Sequence, residues 1–408
     1  MRRSNLALAT SSLLALAVAG PAFAQSGTSA ETGQANAPDQ TPAFQNQTRA
    51  PLPAEATPVS VETVAKDLPH LWSLEFLPDG RMLVTAKQGA LHIIEKDGTA
   101  GPAITGVPKV VARGQGGLLD VALSPGFAEN RTIFLSFSEP REGGNGTSVA
   151  RARLNEAGDA LEDVSVIFRQ MPSYDGNKHF GSRLAFDPAG NLFVTVGERS
   201  DRPIRDRAQD LAAGMGKVFR IDPETGKAAK DNPFAGKGSA QPEIWSYGHR
   251  NLQSAAIDAE GRLWTVEHGA KGGDELNRPE AGLNYGWPVI TYGEDYSGKP
   301  IGQGITAKDG MEQPVYYWDP VIGPSGMAFY RGEEFPQWQG AALIGGLVSK
   351  GLIILKLDAN GHVASEERVP LEARIRDVKL RPDGAVYAVT ESRGGSSTIL
   401  RLTRGDKA

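Results

Sequence analysis

The chain has no cysteine among its 408 residues. That removes disulfides, thiolate metal sites, thiol nucleophiles and iron–sulfur clusters from its chemistry. It also has no block of Lys or Arg. The formal net charge is −5, whereas a nucleic-acid binder concentrates positive charge on one face, so no nucleic acid is expected and small molecules are favoured. No apolar run beyond the N-terminus is long enough to span a bilayer. The spacing of a phosphate-binding loop with its Lys-Ser/Thr is missing, and so is a haem attachment motif. No second histidine or cysteine stands at zinc-motif spacing from His268.

What is present begins with Met1-Arg2-Arg3, an apolar stretch from Leu6 to Val18, and Ala22-Phe23-Ala24. A positive start, a short apolar core and a small-residue cleavage site predict a secretory signal over residues 1–24, cut after Ala24. An exported chain without cysteine points to the bacterial periplasm. Residues 25–57 are Ser, Thr, Gln, Ala and Pro with few aromatics. Such a segment buries too little apolar surface to offset its ordering entropy and is expected to be a flexible tether. Residues 58–408 are then the folded domain, too long for one ordinary core unless the core is divided among repeated units.

The repeated unit is visible. An alternating strand, a Pro/Asp/Gly turn and a second alternating strand recur, as in Leu74–Val84 and Leu184–Val194, which is a hairpin signature. Taking Phe76, Leu123, Phe186, Ile257, Phe329 and Leu380 as markers, the steps are 47, 63, 71, 72 and 51 residues. Six copies at blade-sized steps with loop insertions predict an all-β fold, a six-bladed β-propeller with long rim loops. The C-terminal run Thr398–Leu402 is expected to pair with Val61–Val64 and close the ring. A tandem of β-sandwiches is the competing architecture, disfavoured because no linker interrupts the motif.

Chemistry-bearing residues fall between the copies. His179, in the loop Asn177–Arg183, has a proton affinity suited to a general base, although a loop histidine is more often surface decoration. Gly114–Asp120 contains Gln115, which can donate and accept. Arg250 and Asn251 precede the fourth copy. Arg374 and Arg376 share one strand face and together suit an anionic ligand; an ion-paired blade surface is the plainer alternative. The glycine-rich run Glu267–Asn277, followed by Asn284–Pro288, offers oxygen ligands suited to calcium, without EF-hand spacing.

Taken in order, GQGGLLDVALSP, HFGSRLAFDPAGNLFVTVGE, DNPF, EIWSYGHRN, EHGAKGGDELN, NYGWP, DYSG, QPVYYW, SGMAFY and RIRDV resemble the soluble aldose sugar dehydrogenases, relatives of the soluble quinoprotein glucose dehydrogenase. The resemblance covers nearly the whole folded region. It implies a six-bladed propeller that binds pyrroloquinoline quinone (PQQ) and Ca2+ over the central axis and oxidises the C1 hydroxyl of an aldose, with hydride passing to the quinone. By motif, His179 is the base. Gln115, Arg250, Asn251, Arg374 and Arg376 hold the cofactor, and Tyr296 falls where a family aromatic approaches it. The carbonyls of Gly269 and Ala270 ligate the cofactor's calcium, while Glu275 and the Tyr285 carbonyl match a second, structural calcium site. Glu198 stands where some relatives carry an acid that orients the histidine, and Lys178 is expected to lower the pKa of His179.

One departure stands out: Val348 occupies the position of a family lysine that contacts the cofactor. Lys350, two residues on, is expected on the same strand face, displaced by roughly 6.6 Å, as an imperfect substitute. Electrons must leave to a separate acceptor, a cytochrome or a quinone. A calcium-dependent propeller lactonase and a non-catalytic carbohydrate-binding propeller are the two other readings.

Overall fold

The computed structural model describes residues 27–406. The expected signal and its cleavage point lie outside the described residues. Six antiparallel sheets form six blades in chain order. Their innermost strands are Leu71–Phe76, Leu118–Leu123, Gly181–Phe186, Ala256–Ile257, Pro324–Phe329 and Ile375–Leu380. Each of the six sequence markers is the last residue of one of these strands, where a turn begins; in blade 5 the connection is a longer loop with a 3-10 turn at Pro336–Trp338 instead of the Pro/Asp/Gly turn.

Ring closure follows the expected pairing. Val59–Pro69 lies antiparallel to Ser396–Arg404, with Val61 opposite Leu402 and Thr63 opposite Leu400. The N-terminal strand thereby completes the sixth blade. Blade 1 is a three-stranded sheet, in which the bridge between Ile94 and Ala100 stands where a fourth strand would run.

The core is divided as repeats require, with one apolar cluster at each junction. Leu83 and Leu91 of blade 1 pack with Val121 and Leu135 of blade 2. Phe134 and Val149 meet Leu192 and Phe219 at the next junction. Leu343 and Ile354 meet Val378 and Leu402 between blades 5 and 6, and Val84 meets Tyr387 and Ile399 between blades 6 and 1. Every blade buries both faces against neighbours, which a tandem of independent sandwiches would not do.

The axis is plugged by charge. Arg183, on the inner strand of blade 3, places Nη1 at 3.0 Å from Asp120 and Nη2 at 2.8 Å from Asp377, and its Nε donates to the Gln253 carbonyl at 2.9 Å. The guanidinium also covers the Trp72 ring at 4.2 Å. One side chain thus joins elements of five blades, and with two carboxylates its own burial is compensated.

Residues 27–57 depart from the expected tether. Asn36 and Ala37 donate backbone N–H groups to Asp319, and Glu31 pairs with Arg368 at 2.7 Å. The Gln47 side chain is fully buried, donating to the Pro314 carbonyl, while the Gln47 backbone carbonyl accepts from the Tyr317 N–H. Ala50 donates to the Tyr316 hydroxyl, and Thr57 donates to Glu367. The composition argument counted only apolar side chains. It missed that backbone and amide groups gain partners when the segment lies along blades 4 and 5, whose outer edges offer them.

Candidate active site

Strands of a blade alternate in direction, so the loop entering the first strand and the loop joining the second to the third open on the same rim. Gln115, His179, Asn251 and Arg374 lie in entering loops. Lys87, Glu198, Gly269 and Glu391 lie in the middle hairpin loops. The topology therefore gathers residues that are far apart in sequence around one end of the axis. There a cavity of about 280 Å³ opens, whose lining includes Gln115, Asn251, Gln253, Arg374, Arg376 and Glu391, while His179, Glu198 and Gly269 do not line it.

His179 is buried beside the cavity: its neighbour Phe180 and its hydrogen-bond partner Gln115 line it, whereas His179 itself does not. Its backbone is left-handed at φ 49°, a conformation that a non-glycine residue holds only when its surroundings impose it. Two neighbours do so. The His179 N–H donates to Gln115 Oε1 at 2.7 Å, and a Cβ at Gly197 would stand 2.2 Å from the His179 carbonyl oxygen, so only glycine fits there. The ring is held by Glu198, whose Oε2 lies 2.7 Å from Nδ1 and also accepts the Ser200 N–H.

Burial is the main influence on His179 and pushes its pKa down; Glu198 opposes this, and Arg250 and then Lys178 add to the depression. The effect expected of Lys178 is present but minor. Burial raises Glu198, yet the imidazole, Arg250 and the Ser200 N–H outweigh it and keep the carboxyl low. The pair is therefore an ionised Glu198 and a neutral His179 with its proton on Nδ1, leaving the Nε2 lone pair for a substrate proton.

The loop carrying His179 is clamped from below by Arg199, which sequence reasoning missed. This fully buried guanidinium donates to the carbonyls of Lys178, Asn145 and Gly176 and stacks on Phe180 at 4.1 Å. Its place directly after Glu198 was the available signal.

Arg374 and Arg376 both reach the cavity. Arg376 Nε donates to Glu391 at 2.5 Å and Nη1 to Gln253 at 3.1 Å; Arg374 donates to the Leu347 carbonyl and to Glu391. Burial raises Glu391, but Arg376 and then His70 outweigh it and hold this carboxyl far below the usual range. The arginine pair thus carries an internal counter-ion that the sequence did not reveal. Arg250 donates to the His268 carbonyl and lies 5.1 Å over Trp287.

The Glu267–Asn277 segment forms a hairpin between the strands Leu263–Glu267 and Asp274–Asn277. Asp274 accepts the N–H groups of Gly269 and Gly323, and burial pushes its carboxyl up to about 6. Glu275 faces Glu267 across the strand pair, with the Asn277 amide donating to both. Burial, then the Glu267 charge, push Glu275 up to about 8. Tyr285 stacks on His249 at 4.7 Å. His268, half-buried at the cavity wall and pushed down to about 3 by burial, is a neutral acceptor-donor rather than a cationic group.

Of the expected cofactor residues, Arg250, Lys350 and Tyr296 do not line the cavity. Lys350 is exposed, with φ 55°, in the turn 347–350 that follows the strand Ala342–Gly346. The strand has already ended, so the two-residue spacing from Val348 does not return to the same face, and Lys350 does not line the cavity. Tyr296 is 74% exposed on the turn Asp295–Gly298 and does not line it either.

The donor set suits a flat polyanion. Arg250 Nε and Arg374 Nε are buried without a hydrogen-bond partner, and guanidinium groups match carboxylates. The facing Glu267 and Glu275 carboxylates suit a hard divalent cation. Among the described residues, no group of three or more His, Cys, Asp or Glu side chains is placed to hold a metal, so any such site leans on carbonyl oxygens.

Comparison with known proteins agrees with this architecture. The family described as Glucose / Sorbosone dehydrogenase matches residues 68–401. The aldose sugar dehydrogenase YliI of Escherichia coli is 44% identical over 346 residues, 83% of this chain and 91% of the relative. The quinoprotein glucose dehydrogenase B of Acinetobacter calcoaceticus is 27% identical over 409 residues, covering 80% and 84%. Among solved structures, the apo-form of the soluble aldose sugar dehydrogenase from Escherichia coli superposes with a TM-score of 0.80 at 42% identity, covering 85% of this chain and 99% of that one. The PQQ-bound aldose sugar dehydrogenase from Streptomyces coelicolor gives a TM-score of 0.71 at 29% identity, covering 86% and 99%.

Proposed function

The chain belongs to the glucose/sorbosone dehydrogenase family and is a dehydrogenase, and from that premise we propose that it oxidises the C1 hydroxyl of aldose sugars to the lactone with PQQ and calcium. The observation that carries this is a neutral, Glu198-oriented His179 next to a cavity lined by the guanidinium groups of Arg374 and Arg376. A base and an anion-binding cavity on one rim are what this oxidation needs.

In this reading His179 Nε2 takes the hydroxyl proton as the C1 hydrogen departs as hydride. Glu198 keeps the opposite nitrogen protonated and stabilises the imidazolium that forms. Arg374, Arg376, Arg250, Asn251 and Gln115 hold the cofactor's carboxylates and carbonyls. When bound, PQQ with its calcium supplies a polarised quinone able to accept hydride. Gly269 and Ala270 would offer carbonyl ligands to that calcium, and Glu275 with the Tyr285 carbonyl would hold a second. Phe180, Leu119 and Trp72 border the cavity with apolar surface and limit water at the reacting atoms. The electrons leave to a separate acceptor, and the signal-like N-terminus supports a periplasmic site of reaction.

A propeller lactonase expects side-chain carboxylates and amides converging on an axial metal. The axis here carries the Arg183 ion-pair hub and the arginine-lined cavity instead, which favours the redox reading. The test is titration of metal-stripped protein with PQQ and calcium, following dye reduction with a panel of aldoses. Activity requiring both, and lost in His179→Ala while PQQ still binds, supports the proposal; no PQQ binding overturns it.

A further inference from the structure

The cavity contains a cation that neither the sequence motifs nor the arginine pair account for. Lys87 sits in the hairpin turn of blade 1, between the strands Met82–Ala86 and Ala90–Ile94, and its side chain lines the cavity. Its backbone is fixed on both sides. The Lys87 N–H donates to the His70 carbonyl at 2.8 Å, and its carbonyl accepts the Leu118 N–H at 3.1 Å. Gly117, at φ 146°, packs so closely that a Cβ there would stand 2.1 Å from the Lys87 carbonyl oxygen. A lysine on such an anchored turn has a defined direction rather than a solvent-swept arc.

That direction is towards the loop carrying Gln115, because Lys87 Nζ donates to the Gly114 carbonyl at 2.9 Å. An ammonium has three donors, and this is the one bond recorded for it among the described residues. Burial first, and then the facing Arg376, disfavour its charge; Glu391 opposes them. Glu391 is already engaged by Arg374 and Arg376. Of the charged residues lining the cavity, three are cations and one is an anion. Cations crowded beside a single engaged carboxylate repel one another until an anion enters.

We propose that Lys87 is the cofactor-facing ammonium of this chain, binding a carboxylate of the quinone from the blade 1 turn in place of the lysine that Val348 replaces on blade 5. The inference rests on the PQQ reading above. It assigns the role to a residue distant in sequence from Val348, whereas Lys350 points to solvent. A plainer role for Lys87 is to pin the Gly114 carbonyl, and the two roles separate experimentally, since glutamine can donate to that carbonyl without carrying charge.

The experiment titrates PQQ into calcium-loaded wild type, Lys87→Gln, Lys87→Arg and Lys350→Ala. Calorimetry and quenching of tryptophan fluorescence follow binding at low and high NaCl, with the thermal midpoint followed in parallel. Lys87→Gln is expected to bind about tenfold or more weakly with a shallower salt dependence, Lys87→Arg close to wild type, and Lys350→Ala unchanged. Lys87→Met, which keeps the apolar stem, serves if Lys87→Gln folds poorly. Equal affinity and equal salt dependence for wild type and the uncharged variants would overturn the assignment. Failure of the wild type itself to take up PQQ is a different result: it would overturn the dehydrogenase reading and this inference with it.

Discussion

Glu198 contacts Nδ1 of His179 at 2.7 Å while burial and Arg250 hold the imidazole neutral. His179→Ala should lower kcat by about 10²–10⁴-fold with PQQ affinity little changed. Because the base works only unprotonated, activity is lost as pH falls through the His179 pKa, which lies below the ordinary histidine value. Glu198→Gln removes the one charge that favours imidazolium, so the acid limb of the pH–rate profile should move lower still and kcat should fall. An unmoved acid limb in that variant would show that the carboxylate does not act through His179.

The arginine pair should control cofactor affinity. Arg376→Ala loses a charge-assisted donor in the cavity and should weaken PQQ binding by about tenfold or more, by analogy with charged hydrogen bonds of about 1.5–3 kcal/mol. Equilibrium binding, separate from turnover, is the measurement. A change in kcat alone would contradict a holding role.

On the proposed calcium role of Glu275, binding of the ion there should release a proton. Burial and Glu267 push this carboxyl up to about 8, so near pH 7 it is mostly protonated, while a calcium ligand must be ionised. Affinity should therefore rise from pH 6 towards 9 and level off above the pKa. Calorimetry in buffers of different ionisation enthalpy reads the proton directly, and Glu275→Gln should abolish its release.

Arg183→Met should destabilise the protein strongly. It strands Asp120 and Asp377, both buried, without their cation; breaking a buried pair on one side costs about 3–5 kcal/mol. Urea unfolding gives the value. A loss below about 1 kcal/mol would mean that the two aspartates are protonated or hydrated in the variant.

Deleting residues 27–52 should lower the thermal midpoint by several degrees, since the deletion uncovers the outer edges at Tyr317 and Glu366 and removes the N–H donors to Asp319 and the Glu31 partner of Arg368. An unchanged midpoint would restore the tether description.

The blades were legible because strand alternation and turn chemistry are local. Phe76, Leu123 and Leu380 mark inner-strand ends without knowledge of any contact. His179, Gln115, Asn251 and the Arg374–Arg376 pair were legible through motifs around them. Lys87 and Glu391 were not, because each sits in an ordinary hairpin turn and only the ring brings it to the axis. The Lys350 expectation failed on a boundary: the strand stops at Gly346, and a left-handed residue reverses the geometry on which the spacing argument relied. Residues 27–57 were misread because their partners belong to an outer surface that no local pattern describes.

The strand pairing of Val59–Pro69 with Ser396–Arg404 fixes the order of assembly as well as the shape. A ribosome finishes the first of these strands long before the second exists, so blade 6 cannot form until almost the whole chain is synthesised. Arg374, Arg376 and Glu391 belong to that blade. The anion-binding wall of the cavity is therefore among the last parts to be made, and capture of the cofactor should follow, rather than guide, completion of the ring.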